Sequence, residues 1–251
     1  MKDKLKLNFV LFILGILGIL TLLTIEFPAE SFSKAALNKF SLQTLKYLTL
    51  INPIFLLLLA IFIGSKLSKP TGLTTPTISK LLKINIPTIH FNEQMKYGCI
   101  LGILIGIFGV LSTFVFNSII PLEFKQLENN LQVSILAKIG YGGITEELLT
   151  RYGFMTFAVW IVFKITNKLN HFSYWIGIII SSVLFALGHF PAVFASSSNA
   201  STILLTYVFI SNFFSGITFG WLYWKKGLES SIIGHILAHL TMILLQFTSI
   251  I

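Results

Sequence analysis

Seven stretches of this chain stay apolar for about the 20 residues an α-helix needs to cross a bilayer, and that recurrence limits the fold more than any other feature. They run over approximately 8–25, 47–64, 97–120, 133–165, 174–190, 203–224 and 230–250. With 55% of the residues hydrophobic and only 11% charged, water is the wrong solvent for such a chain, although its 251 residues would suit one or two soluble domains. The expected fold is all-α: a polytopic transmembrane bundle of about seven to eight helices forming a single membrane domain over 1–251.

The polar flanks suggest how the runs are threaded. Lys2, Lys4 and Lys6 precede the first run, which is long enough to span and has no small-residue cleavage pattern after it, so it reads as a retained helix rather than a secretory signal. With the N-terminus inside and seven crossings, the inner side receives twelve of the basic residues: Lys2, Lys4, Lys6, Lys66, Lys69, Lys80, Lys83, Lys96, Lys164, Lys168, Lys225 and Lys226. The outer side receives four, Lys34, Lys39, Lys46 and Lys125, so the positive-inside rule favours N-in and C-out. The net charge of +9 follows this topology, and no basic patch with interleaved aromatics points to nucleic acid. The bilayer is the expected partner. Rich in Lys and Ile, the chain fits a bacterial cytoplasmic membrane.

The fourth run, at about 1.5 Å per residue, is longer than a ~30 Å hydrocarbon core requires, and it is expected to tilt or break at Gly142–Gly143. The longest polar stretch, 65–96, contains Pro70, Pro76 and Pro87 and reads as an inner connector with one short surface helix near 78–84. Gly102 with Gly106, and Gly216 with Gly220, are small-residue pairs one turn apart that let helix backbones approach closely in lipid. The lone Cys99, in an apolar run, excludes a disulfide framework and a cysteine-based metal site.

Ionisable groups inside a membrane helix cost at least a few kcal/mol each, so they persist mainly where they face a cavity, pair, or do work. Of the nine acidic residues, Asp3, Glu26, Glu30, Glu93, Glu123, Glu128 and Glu229 fall in loops or at helix ends, where solvation explains them. His90 and His171 lie in connectors. What remains is Glu146, Glu147, Arg151, His189, His235 and His239. Helical spacing puts Arg151 on the face of Glu147, four residues away, and turns Glu146 about 100° from Glu147. A carboxylate left without a partner in low dielectric suits general-base chemistry on water, whereas a fully neutralised pair would only tie helices together. Phe185 and His189 share a face, so the ring can orient the imidazole or the histidine can serve packing alone. His235 and His239, again one turn apart, could orient a substrate carbonyl, stabilise an oxyanion or ligate a metal.

Taken in order, Glu146-Glu147-xxx-Arg151, Phe185-xxx-His189 and His235-xxx-His239 resemble the motifs of the CAAX-protease and bacteriocin-processing family of intramembrane endopeptidases. The likeness extends across 145–240, including the run from Phe214 to Tyr223 that holds Gly216 and Gly220, and Lys226-Gly227-Leu228, while the first hundred residues agree only in hydrophobicity. The resemblance implies three N-terminal spans over 8–120 and a catalytic core over 133–250. It implies that Glu146 activates water with His189 assisting, that Glu147 and Arg151 maintain the geometry, and that His235 and His239 face the scissile carbonyl and stabilise the tetrahedral oxyanion. Phe185 and Asn212 are candidate substrate-positioning residues. The family's last motif often ends in asparagine, where this chain has His239.

The expected substrate is a hydrophobic peptide or a membrane-anchored protein, and in a bacterial host prenylated CAAX proteins are not expected. No obligatory cofactor is implied. The set Glu, His, His is one that zinc accepts, but no His-Glu-xx-His segment is present and a glutamate can act on water without a metal. Two readings of other classes compete: a non-catalytic bacteriocin-immunity or membrane scaffold protein, and a proton-coupled transporter, for which no inverted repeat is found. Counted along ideal helices, Glu146, His189 and His235 lie at different depths, so the fourth or fifth run is expected to be broken or displaced if they meet.

Overall fold

Because an isolated helix satisfies its own backbone in lipid, each apolar run forms one, and the fold is decided by how the helices pack. The computed structural model describes residues 2–26, 32–86, 89–130, 132–197 and 199–247. Glu30 and the expected core boundary at 250 lie outside the described residues. Seven helical segments are long and apolar enough to cross a membrane: Lys2–Thr24, Leu42–Thr71, Phe91–Ile119, Ile135–Thr166, His171–Ser196, Thr202–Lys226 and Leu228–Gln246. The protein is thus an all-α, multi-pass membrane bundle.

The elements follow in chain order as α1 (Lys2–Leu20), α2 (Lys34–Leu37), α3 (Leu42–Leu48), α4 (Ile51–Thr71), α5 (Pro76–Leu81) and α6 (Phe91–Ile119). After them come α7 (Pro121–Asn130), α8 (Ile135–Thr166), α9 (His171–Leu187), α10 (Phe190–Ser196), α11 (Thr202–Lys226) and α12 (Leu228–Phe247). α8 is the hub: it packs on α1, α4, α9, α11 and α12. Its Leu148 and Met155 are buried with Leu11 of α1, Leu57 of α4, Ile178 of α9 and Tyr223 of α11. The expected glycine pairs mark two other seams. A Cβ on Gly106 of α6 would lie 2.7 Å from the Ala238 carbonyl of α12, and one on Gly216 of α11 would lie 2.8 Å from Ser182 of α9.

α8 does not break at Gly142–Gly143. It is wound as a π-helix over Lys138–Glu146 and again over Leu148–Met155, and stays continuous to Thr166. In this winding the backbone bonds reach five residues back, giving a wider helix that rises less per residue. That shortens a segment otherwise too long for the bilayer. The glycines serve close contact instead: Gly143 packs on Ile236 of α12, and Gly142 on His239. The fifth run is the one that breaks. α9 ends at Leu187, Gly188 and His189 form the corner, and α10 restarts with Pro191 in its first turn, where its missing N–H costs nothing. Together the wide α8 and the corner at His189 remove the mismatch in depth that ideal helices would impose.

The short helix of the connector, α5, presents Lys80 and Leu81 to the surface and buries Pro76 and Ser79 against the start of α12. One expectation about the polar flanks needs correction: Glu229 is not solvated, being 8% exposed, and it accepts hydrogen bonds from the Ile78 N–H at 2.8 Å and the Gln94 side chain at 3.0 Å. A carboxylate in the first turn of α12 also meets the positive end of the helix dipole. On the other side of the bundle, Glu123 of α7 accepts from the Ser201 N–H at 3.0 Å, which ties the segment before α11 to α7.

Candidate active site

The adjacent carboxylates of α8 meet different surroundings, as a turn of roughly 100° between neighbours requires. Glu147 is fully buried, and three groups converge on it. Arg151 Nε lies 3.2 Å from Oε2, His235 Nδ1 lies 2.9 Å from Oε1, and the Ser231 hydroxyl donates to Oε2. The Arg151 contact is ionic rather than a well-aligned hydrogen bond, and the two terminal nitrogens of the guanidinium have no partner among the described residues. The ring of Phe185 covers it, 5.0 Å from the guanidinium carbon. Since a carboxylate only accepts, the proton between Glu147 and His235 sits on Nδ1 of the imidazole. The His235 ring is stacked between Phe219 at 4.6 Å and His239 at 4.9 Å.

Glu146 faces a cavity of about 490 Å³, and His189 lines the same cavity. Its walls are otherwise apolar, formed by Leu56, Leu59 and Ile63 of α4, Phe154 of α8, and Leu184 and Phe185 of α9. Leu56, Leu59 and Leu184 are also exposed on the outside of the bundle, so the cavity borders the lipid between α4 and α9. The corner at His189 brings its Nδ1 within 2.8 Å of the Phe185 carbonyl. A carbonyl oxygen only accepts, so Nδ1 carries the hydrogen and the neutral ring keeps a lone pair on Nε2. Phe185 meets His189 edge-on at 4.8 Å and His235 at 5.9 Å, standing between the cavity and the buried cluster.

The six ionisable residues singled out in the sequence therefore fall into two groups joined back to back through α8. Glu146 and His189 share the cavity, while Glu147, Arg151 and His235 form the buried cluster, with His239 stacked behind. His235 and His239 do not line the cavity. Asn212 is in neither group: its side chain donates to the Val208 carbonyl of its own helix at 2.8 Å, and it makes no helix-to-helix hydrogen bond among the described residues. Sequence reasoning missed Ser231, although it precedes His235 by four residues and so shares its face. It also missed Tyr141, which lines the cavity with Glu146.

Three or more His, Cys, Asp or Glu side chains arranged to hold a metal ion are not found among the described residues. Glu147 already meets a guanidinium, a hydroxyl and an imidazole, and the Glu, His, His set that zinc accepts is divided between the cavity and the buried cluster.

Residues 128–241, a little under half of the chain, match the sequence profile of the Rce1-like family, described as type II CAAX prenyl endopeptidase Rce1-like. The matched segment contains all six ionisable residues, so the resemblance seen in three short motifs holds over that whole stretch. No curated protein and no solved structure matches the chain at a significant level.

Proposed function

We infer, from the Rce1-like sequence of residues 128–241 as premise, that this chain is an intramembrane endopeptidase in which Glu146 activates the attacking water. The observation that carries the reading is the shared cavity of Glu146 and His189. Both groups are acceptors there, one a carboxylate and the other an imidazole whose Nδ1 hydrogen is committed to Phe185. A water donating one proton to each would be held with its lone pair free to attack a carbonyl carbon.

In the proposed step Glu146 takes a proton from water as the oxygen bonds to the scissile carbon. When the tetrahedral intermediate collapses, the C–N bond breaks and Glu146 returns that proton to the leaving amine. No metal is required, and none of the steps passes through one. Glu147, Arg151, Ser231 and His235 act as positioning residues that hold α8 against α12 and keep Glu146 clear of other partners. The apolar walls favour a hydrophobic peptide or the membrane-proximal part of an anchored protein, arriving from the lipid between α4 and α9. The lysine distribution favours an N-terminus inside, and the Lys- and Ile-rich composition favours a bacterial cytoplasmic membrane.

The test is purified protein with a quenched apolar peptide. Glu146→Gln keeps the shape and the hydrogen bonding of the side chain but cannot take a proton from water, and should lower the rate by about 10²–10⁴-fold without unfolding the protein. His189→Ala should be similarly severe. Cleavage by Glu146→Gln at the wild-type rate would eliminate the mechanism, and a biological phenotype that survives both substitutions would favour the immunity or scaffold reading.

A further inference from the structure

Trp and Tyr ordinarily girdle a membrane protein at both interfaces. In this chain all four tryptophans, Trp160, Trp175, Trp221 and Trp224, lie within two turns of the end of α8, the start of α9 or the end of α11. That is the end of the bundle that the lysine distribution favours as the inner one. Lysines lie over the rings there: Lys164 is 5.9 Å from the centre of the Trp160 ring, Lys226 is 4.2 Å from that of Tyr97, and Lys225 is 3.5 Å from that of Trp224. Carboxylates that could neutralise them are scarce. Among the described residues Glu93 is spent on Lys226 at 2.7 Å, and Glu229 is buried against α5.

The charge and the rings meet at Trp224. Its ring is stacked on Tyr174 of α9 at 4.7 Å and met edge-on by His171 at 5.2 Å and Trp175 at 6.2 Å. Tyr174 is pinned in turn, its hydroxyl donating to the Thr71 carbonyl at the end of α4 at 2.8 Å. Three helices thus fix the platform on which the Lys225 ammonium rests. The Lys225 ammonium and the Trp224 indole N–H make no hydrogen bond or ion pair among the described residues. Beside them Phe172, Trp175 and Ile179 of α9, spaced three and four apart, form an exposed apolar stripe. We propose that this cluster is a binding site for an anionic phospholipid, with Lys225 and Trp224 donating to the phosphate oxygens and an acyl chain lying along the stripe of α9. An aromatic face holds an ammonium in place without cancelling its charge, which leaves that charge for the phosphate. Inorganic phosphate would meet the same donors but has nothing to lay on the stripe, so the surface fits a lipid. The site lies apart from the cavity of Glu146 and does not depend on the proposed protease activity.

The test uses the purified full chain in phosphatidylcholine vesicles that contain a varied fraction of phosphatidylglycerol with brominated acyl chains, which quench the tryptophans they touch. Phosphatidylglycerol should quench the wild type at a lower fraction than brominated phosphatidylcholine does. Lys225→Gln should raise the half-quenching fraction about fivefold, and Lys225→Arg, which keeps the charge on the ring, should hold it within about twofold of wild type. Lys80→Gln removes an exposed lysine of α5 at the same end that lies over no ring among the described residues, and it should also stay within about twofold. Equal quenching of the wild type by the two lipids refutes the site. Equal losses in Lys225→Gln and Lys80→Gln would reveal diffuse attraction to a charged surface and overturn it as well. Native mass spectrometry of the detergent-purified chain with each lipid gives a second measure that needs no fluorescence: wild type should retain phosphatidylglycerol in preference to phosphatidylcholine, and Trp224→Leu should lose the preference. If millimolar inorganic phosphate displaces the retained lipid as well as unlabelled phosphatidylglycerol does, the cluster binds phosphate alone and the assignment to a lipid fails.

Discussion

Replacing Arg151 by Met is the perturbation that most directly probes how the cluster is held. Met keeps much of the volume under Phe185 and removes the charge, so the measurement isolates the ion pair from packing. Glu147 would then be a fully buried carboxylate with two neutral-capable donors, Ser231 and His235, in place of three groups. Breaking one side of a buried pair costs about 3–5 kcal/mol, most of it the penalty of the charge left behind. At about 2–4 °C per kcal/mol for a chain of this size, the melting temperature should fall by roughly 6–20 °C. The double variant Glu147→Gln/Arg151→Met leaves no orphaned charge and should recover most of that loss, because the pair itself contributes little beyond its own desolvation. The assay is thermal unfolding in detergent for the wild type, both single variants and the double variant. A melting temperature for Arg151→Met within about 2 °C of wild type would refute the pairing as a structural requirement.

Two further outcomes follow from the packing. Ser231→Ala removes one donor from Glu147 while the guanidinium stays, so it should destabilise by about 1.5–3 kcal/mol, less than Arg151→Met, and an equal or larger loss by thermal unfolding would reverse that order. A Cβ on Gly18 of α1 would lie 2.5 Å from the Gly140 carbonyl oxygen of α8, so Gly18→Ala should cost about 1–3 kcal/mol, whereas Leu17→Ala, at a position 56% exposed to the bilayer, should melt with wild type.

Much of this architecture was legible because the bilayer imposes strict rules on sequence. Helix length is set by membrane thickness, so all seven spans could be read from hydropathy, and buried charge is costly enough that six residues stood out from the other ionisable groups. What escaped the reading shares a physical cause. Nothing in the run of residues along α8 distinguishes a π winding from an α-helix, and Tyr141 falls on the face of Glu146 only in the former. Ser231 was silent because a hydroxyl in an apolar helix usually satisfies itself on its own backbone, as Ser182 does on the Ile178 carbonyl at 2.7 Å. Glu229 looked solvated because its partners, Ile78 and Gln94, are remote in sequence and only the docking of α5 beneath α12 brings them near.

The two-sided character of the carboxylate pair is what joins stability to chemistry here. A single glutamate at this depth would have to choose between a counter-ion, which would quench it as a base, and isolation, which the membrane penalises. Placing two in succession divides the task. Glu147 turns toward α12 and takes the Arg151 guanidinium of its own helix, while its contacts with the Ser231 hydroxyl and the His235 imidazole draw α8 and α12 together. Glu146 is turned by the same backbone toward the cavity, which His189 and Tyr141 also line. The fixed position of the proposed base is thus a consequence of its neighbour's pairing. Substitutions in the buried cluster should therefore act on catalysis through the orientation of α8, without any of those side chains touching the substrate.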